Sequence, residues 1–351
     1  MKKTKIQWCH STINPVMGCD GCELWPSTAK VKGEMAQALT ALATDVSTAD
    51  LRHLIDAVVG DDDLSGLYSG REAVATELAS RLNLGTNAIV EVVNVVRRAC
   101  KCYAGLLGTN RAGNKGYADA FVQPKLFPDR MDEAARWSSP TADERQSKPW
   151  LEGAPRMVFV SDMGDALSRN IPFSYLKKEI IDVVTSEDGS QHLWLWLSKR
   201  PSRMAEFGEW LLKQGAQWPD NLVAMSTVTS QATAGRVTEL RKVPSKFKGL
   251  SIEPLFTEVN LDLSGIDWCI VGGGSDTLAE AFQVEWALSL HDQSKKAGTA
   301  FFLKQLGKNP TFKGQSVDLK NGHGGDWEEW DEAWRIREIP AGFRRAEKSG
   351  S

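Results

Sequence analysis

The chain has 351 residues, with 42 Lys and Arg against 45 Asp and Glu, a formal net charge of -3 and 42% hydrophobic residues. This is enough sequence for a large buried core, in one barrel-like domain with an insertion or in two domains, and the near-neutral charge removes any whole-chain argument for binding a polyanion. Six cysteines are too few for a secreted disulfide framework, and no stretch approaches the roughly 18 to 20 apolar residues of a membrane-spanning helix, so a cytoplasmic protein with no membrane partner is expected.

The N-terminus, Met1-Lys2-Lys3-Thr4-Lys5, is basic, but the following Ile6-Gln7-Trp8-Cys9-His10 is not the apolar run of an export signal. Cys19-Asp20-Gly21-Cys22 then places two thiols on a tight turn that contains glycine. Residues 27–99 change character, with Ala, Leu and Val at helical spacing and few aromatics, and predict a helical insertion. Within it, Ser47 and Asp50 form a variant capping box ahead of Leu51, Leu54, Ile55, Val58 and Val59, and Gly60 stops the helix. Thr86 precedes a second helix that carries Ile89, Val90, Val93 and Val96 and ends at Arg97-Arg98, which suits the helix dipole. Cys100-Lys101-Cys102 follows, so an insertion folded back on itself brings two pairs of cysteines together.

Three readings fit that constellation. All four thiolates can close a structural tetrahedral zinc site. Three can hold a 4Fe-4S cluster with one iron left open. The bland reading is a set of buried free cysteines. Spacing alone slightly favours zinc, because four cysteines match four ligands.

After about residue 155, short β-branched or aromatic runs alternate with helical stretches, the mark of βα units. The strands are expected at 157–161, 193–198, 222–227, 249–252, 268–271 and 300–304, all nearly continuous apolar runs of the kind buried on both faces. The helices are expected at 173–185, 202–214, 231–242 and 284–297. The fold class is therefore α/β, a partial or modified (β/α) barrel. Its expected extent is residues 1–26 and 100–342, with the all-helical insertion at 27–99 and a disordered tail at 343–351. The C-terminal strand ends, which in such barrels converge on one mouth, carry Ser161-Asp162, Ser198-Lys199-Arg200, Ser226-Thr227, Glu253-Pro254, Gly272-Gly273-Gly274 and Lys304-Gln305.

Several segments resemble a family of radical-SAM-like proteins common in phages and bacteria. They are Thr4 to Trp8, Ile13 to Cys19, Cys102-Tyr103-Ala104, Phe127 to Met131, Val158 to Asp165, Leu197 to Pro201, Ser251 to Leu255, Asp267 to Gly273 and Phe301 to Gly307, and residues 27–99 lie outside the resemblance. The resemblance implies a three-cysteine motif that ends in Cys-Tyr-Ala, here split by the insertion. Cys19 and Cys102 match the outer ligands, and Cys22 keeps the turn for the middle one, with Cys100 as the spare. The implied cofactors are a 4Fe-4S cluster and S-adenosylmethionine (SAM), whose reductive cleavage yields a 5'-deoxyadenosyl radical for hydrogen abstraction. Relatives in phage genomes imply a substrate class, a substituted thymine in DNA whose substituent is rearranged in an isomerase or mutase step. An external electron donor of the flavodoxin or ferredoxin type is implied as a partner.

At the barrel mouth, Glu253 and Lys199 are the expected catalytic residues. Ser161, Asp162, Asp165, Ser198, Arg200, Ser226, Gly272, Gly273 and Lys304 are expected to contact the cofactor through carboxylates, cations and close backbone approach. Relatives carry Glu at the position of Gly274, so that carboxylate is missing here. Cys269 reads as core, Cys9 as a weaker candidate near the cluster, and His10 as exposed or supporting. DNA contact would rely on a local basic patch such as Arg97-Arg98-Lys101 with Arg111 and Lys115. The alternative reading, from another class, is a non-catalytic zinc-stabilised module that binds nucleic acid or protein.

Overall fold

The computed structural model describes residues 4–60, 64–276 and 279–344. The chain forms two compact units, one of Met1–Pro15 with Phe127–Ser351 and one of Val16–Leu126. Among the described residues no helix is long and apolar enough to cross a membrane.

The larger unit is built on seven parallel strands that neighbour one another in chain order: β1 (Ser11–Ile13), β2 (Met157–Val160), β3 (Leu193–Ser198), β4 (Leu222–Thr227), β5 (Lys248–Ile252), β6 (Trp268–Gly272) and β7 (Ala300–Gln305). Each of the six predicted strands lies within one residue of its observed ends. β1 was not foreseen, because Ser-Thr-Ile is too short to show a period. The predicted helices are present too, with local differences. The stretch at 173–184 contains a π-helical turn at Lys177–Ile181, and 231–242 divides into a 3-10 turn and a helix at Arg236–Arg241. Pro201 sits at the first turn of its helix, where its missing N–H is not needed, and Gly298 in a left-handed conformation ends Val284–Ala297.

The sheet is curled. Phe159 on β2 and Trp268 on β6 are separated by three strands, which in a flat sheet sets them roughly 19 Å apart. Both nevertheless contact Trp8, with ring centroids 4.7 and 6.2 Å from it. Alternate residues of five strands (Met157, Phe159, Leu193, Leu195, Val223, Met225, Trp268, Ile270 and Phe302) accordingly share one buried cluster on the concave face with Trp8 and Cys9. β1 and β7 do not pair with each other. The β7 edge is taken by residues 336–338, where Leu303 N–H donates to Ile336 O at 2.8 Å and Glu338 N–H to Phe301 O at 2.9 Å. The barrel is therefore partial, because residues 336–338 occupy the β7 edge, and an edge open to aggregation is covered. Phe343, expected to begin a disordered tail, is instead buried against Phe247 and Trp268. Residues 345–351 of that tail lie outside the described residues.

Two buried polar clusters fix the chain around β1 and β2. Arg156 meets both oxygens of Glu144 at 3.1 and 3.0 Å and Ser11 Oγ at 3.0 Å. Lys148 Nζ donates to the carbonyls of Thr4, Ile6 and Cys9 at 3.1, 2.6 and 2.5 Å. His10 is buried rather than exposed, with Nδ1 accepting the Met157 N–H at 3.0 Å. Burial lowers its pKa to about 3.

The smaller unit is helical: α1 (Thr28–Thr40), α2 (Thr48–Val59), α3 (Leu64–Arg81), α4 (Thr86–Ala99) and α5 (Tyr103–Asn110). Ser47 caps α2 through the Asp50 N–H, and Gly60 ends it with a positive φ of 69°. Val31, Met35 and Leu39 of α1, Leu51 and Ile55 of α2 and Val92 and Val96 of α4 form the buried stripes. The unit is wider than the expected insertion at 27–99. It begins at Val16, because Val16–Met17 pairs with Lys125–Leu126, and it takes in all four grouped cysteines, which were expected on the barrel.

Candidate functional site

The cysteines converge through the backbone. Cys22 and Trp25 exchange N–H···O bonds of 3.1 Å in both directions, and Leu24 O accepts from both Lys101 N–H and Cys102 N–H at 3.0 Å. Cys19 N–H donates to Phe121 O at 2.8 Å. Gly18 and Gly21, with φ of 89° and 93°, supply the left-handed turns that this path requires. Behind the junction, the fully buried Trp25 lies against α5, where a Cβ on Gly105 would stand 2.3 Å from the indole. Seventy-seven residues between Cys22 and Cys100 are thus bridged at one carbonyl.

The six cysteines form no disulfide. Cys22 and Cys102 are partly exposed, whereas Cys100 is buried and its thiol is pushed up to about 12 by burial. Cys9 and Cys269 are fully buried, with thiols raised to about 12 for the same reason, and belong to the core. The residue types at the junction are those that bind metals as thiolates. Among the described residues, no group of three or more His, Cys, Asp or Glu side chains is placed to hold a metal ion.

At the C-terminal ends of the strands most of the expected site residues fall into two sets, with Ser161, Asp162 and Gly273 outside both. Asp165, Ser198, Lys199, Arg200 and Ser226 form a polar latch. Asp165 accepts from Leu167 N–H at 3.0 Å, Ser198 Oγ at 2.8 Å, Lys199 N–H at 3.1 Å and Arg200 NH1 at 3.0 Å. Ser226 Oγ donates to Ser198 O at 3.0 Å, which ties β4 to β3. This carboxylate is filled by the protein on both oxygens and holds the β2 loop against the end of β3.

Glu253 forms the second set. Lys304 Nζ lies 2.9 Å from Glu253 Oε1, and Ser251 Oγ is 3.4 Å from Oε2. Gly272 serves this carboxylate directly, since a Cβ there would stand 2.5 Å from Oε1. Gly273 is needed for a different close approach, because its Cβ would stand 2.5 Å from Leu306 O. Both glycines therefore accommodate the protein's own groups, where contact with cofactor was expected. Ser161 ends β2 with a positive φ of 71°, and its buried Oγ has no hydrogen-bond partner. Beside it, Asp162 accepts from Asn14 Nδ2, and Asn14 Oδ1 accepts Met163 N–H at 2.8 Å. Asn14 and Ser251 were not singled out from the sequence. The position of Ser251 two residues before Glu253 on one strand face was the available signal.

The profile of a family described as a protein of unknown function (DUF5131) matches residues 87–334, which include Cys100, Cys102, β2 to β7, Glu253 and Lys304. Neither the curated proteins nor the solved structures include a match to the chain. With most of its length matched, including nearly all of the parallel sheet, the chain belongs to the DUF5131 family.

Proposed function

We propose that this chain is a radical-SAM-type enzyme of the cytoplasm, in which Cys19, Cys22 and Cys102 hold a 4Fe-4S cluster and SAM is the cosubstrate or cofactor. The carrying observation is the junction at Leu24 O, which gives two distant cysteine segments one backbone anchor. When bound, the cluster supplies the electron that breaks a carbon–sulfur bond of SAM.

The chain's own groups divide the remaining work. Cys22 and Cys102 are partly exposed and Cys19 precedes Cys22 on the same turn, whereas Cys100 is buried at the end of its helix, and in this reading it is the spare. Glu253 is the group suited to hold or pass a proton, and Lys304 balances its charge. The Asp165 latch keeps the strand ends in register around them. An external one-electron carrier of the flavodoxin or ferredoxin type is the reductant in this reading. A substituted thymine in DNA, rearranged in an isomerase-type step, is the proposed substrate class.

The test is formation of 5'-deoxyadenosine and methionine from SAM by the anaerobically reconstituted chain under dithionite. The wild type and Cys100→Ala are expected to form both products, and Cys102→Ala neither. Product formation that survives Cys102→Ala, or is absent from a wild type carrying its full iron, contradicts the proposal.

A further inference from the structure

The helical unit has a feature for which the cysteine chemistry gives no use. α3 ends at Arg81 and α4 begins at Thr86, so only Leu82-Asn83-Leu84-Gly85 joins the two helices. Leu84 N–H donates to Ala79 O at 2.8 Å and Asn83 N–H to Ser80 O at 3.2 Å, while Asn83 stands in the left-handed region with a φ of 52°. This is a Schellman turn, which satisfies the last carbonyls of α3 and fixes the direction in which α4 leaves. Ala75 and Ala79 of α3 and Ala88 of α4 are buried, and side chains this short let helices approach closely. α4 packs against both α1 and α3. Two helices joined by a short glycine-containing turn, the second of them supported by a further helix, have the plan of a helix-turn-helix.

The exposed face of α4 has an unusual composition. Ala88, Val92, Val93, Val95 and Val96 form its buried stripe. At about 3.6 residues per turn, Asn87, Val90, Glu91, Asn94, Arg97 and Arg98 fall on the opposite side. Val90 is 52% exposed in the middle of that face. A face that meets only water is better served by Glu, Lys or Gln, since Asn and Val are weaker helix formers. These types are instead suited to base edges: an Asn amide pairs with adenine, an Arg guanidinium with guanine, and an apolar side chain packs on the thymine methyl. Arg98 bonds Glu91 at 3.0 Å, but both side chains are well exposed, and a surface pair of this kind, worth about 1 kcal/mol or less, yields readily to a phosphate. Charge is also separated along the unit. Residues 81–125 carry seven Lys and Arg against two Asp and Glu, whereas residues 16–80 carry four against eleven. The near-neutral total hides this basic half.

We propose that α3 and α4 form a helix-turn-helix that seats α4 in the major groove of duplex DNA, with Asn87, Val90 and Asn94 toward the bases and Arg97 and Arg98 toward the phosphates. The groove, about 12 Å wide, admits one helix, and the stretch from Asn87 to Arg98 covers about 16 Å, or roughly five base pairs. The inference rests on the proposed DNA substrate for its purpose, and it adds a sequence-reading surface that needs neither the cysteines nor SAM.

The test uses the iron-free full-length chain and labelled duplexes of about 20 base pairs at roughly 50 mM salt. Repeated capture from a random-sequence pool comes first, and fluorescence anisotropy then measures the captured sequence. It should bind at least about tenfold more tightly than the starting pool or its own single strand. Asn87→Asp should weaken that binding by at least about tenfold. Thermal stability should not fall, because a carboxylate in the first turn of α4 favours the helix. Gln37→Glu, which adds the same charge at an exposed position of α1, should weaken binding far less. Arg97→Gln should reduce the slope of log affinity against log salt by about 1. No duplex binding, a pool that does not converge, equal affinity for the single strand, wild-type binding by Asn87→Asp, an equal loss in Gln37→Glu or an unchanged salt slope overturns the proposal. With neither iron nor SAM present, this outcome is separate from that of SAM cleavage.

Discussion

Replacing Arg156 by methionine is expected to destabilise the larger unit by about 3–5 kcal/mol, the range for removing one partner of a buried ion pair. Arg156 is fully buried, and its guanidinium joins Glu144 to Ser11 on β1 and to the carbonyl of Ser139 at 3.2 Å. Without it, the Glu144 carboxylate remains buried beside its own helix cap, where it accepts only the Thr141 N–H. The same network sets the acid limit. Burial raises the Glu144 pKa, but the hydrogen bonds from Arg156 and the Thr141 backbone outweigh it and take the value from 4.5 down to about 2. Because the folded value lies below the unfolded one, the stabilisation is complete above about pH 4.5 and is lost as pH falls toward 2. It amounts to about 3 kcal/mol. His10, lowered by burial from 6.5 to about 3, adds a loss of the same sign that begins nearer pH 6.5. Urea unfolding of both proteins from pH 7 to pH 3 checks this. The wild type should lose stability steadily, and Arg156→Met should start lower and lose less below pH 4.5. Equal slopes would show that the pair is not the source of the acid sensitivity.

Gly105→Ala is expected to destabilise the helical unit by about 1–3 kcal/mol through overpacking. If the proposed cluster is held at the cysteine junction, the substitution should also reduce the iron retained there. The new methyl would stand 2.3 Å from one carbon of the Trp25 ring and 2.6 Å from the next, a clash with a rigid indole that is itself fully buried. Trp25 cannot yield without moving the Cys22–Trp25 bridge and the neighbouring Leu24 carbonyl that Lys101 and Cys102 share. Gly33 in α1 is the matched control, since nothing lies within 4 Å of its Cβ position. There the same change should stabilise by about 0.5–1 kcal/mol, because it removes backbone entropy from the unfolded chain. Thermal unfolding and iron retained after desalting are the two readouts. Full iron retention in a destabilised Gly105→Ala would uncouple the tryptophan from the junction.

The parallel sheet was legible because strands buried on both faces must be apolar throughout, so Leu193 to Leu197 and Trp268 to Val271 could be recognised without tertiary information. The partial closure was not. It depends on Ile336 to Glu338 lying along β7 and on Trp8 reaching Phe159 and Trp268 from before the first strand, and neither leaves a local pattern. The same limit applies to the site. Polar residues at strand ends predicted a rim, but composition cannot tell a carboxylate with several donors on both oxygens, such as Asp165, from one paired mainly with a lysine, such as Glu253. Pairing decides that difference, and Lys304 was legible as a cation without being legible as the partner of Glu253. The unit boundary moved outward from 27–99 because Val16–Met17 and Lys125–Leu126, each too short to read, close the helical unit.

In the proposed function, three of the four grouped cysteines hold an iron–sulfur cluster. Anaerobic purification and reconstitution, followed by iron, sulfide and zinc analysis with an absorption spectrum before and after dithionite, tests it most directly. The expected result is about four irons and four sulfides per chain, little zinc, and a broad band near roughly 400 nm that bleaches on reduction. Cys100→Ala should give the same result. Stoichiometric zinc that resists replacement by iron and is lost in Cys100→Ala would contradict it, and would make the junction at Leu24 a four-thiolate structural site.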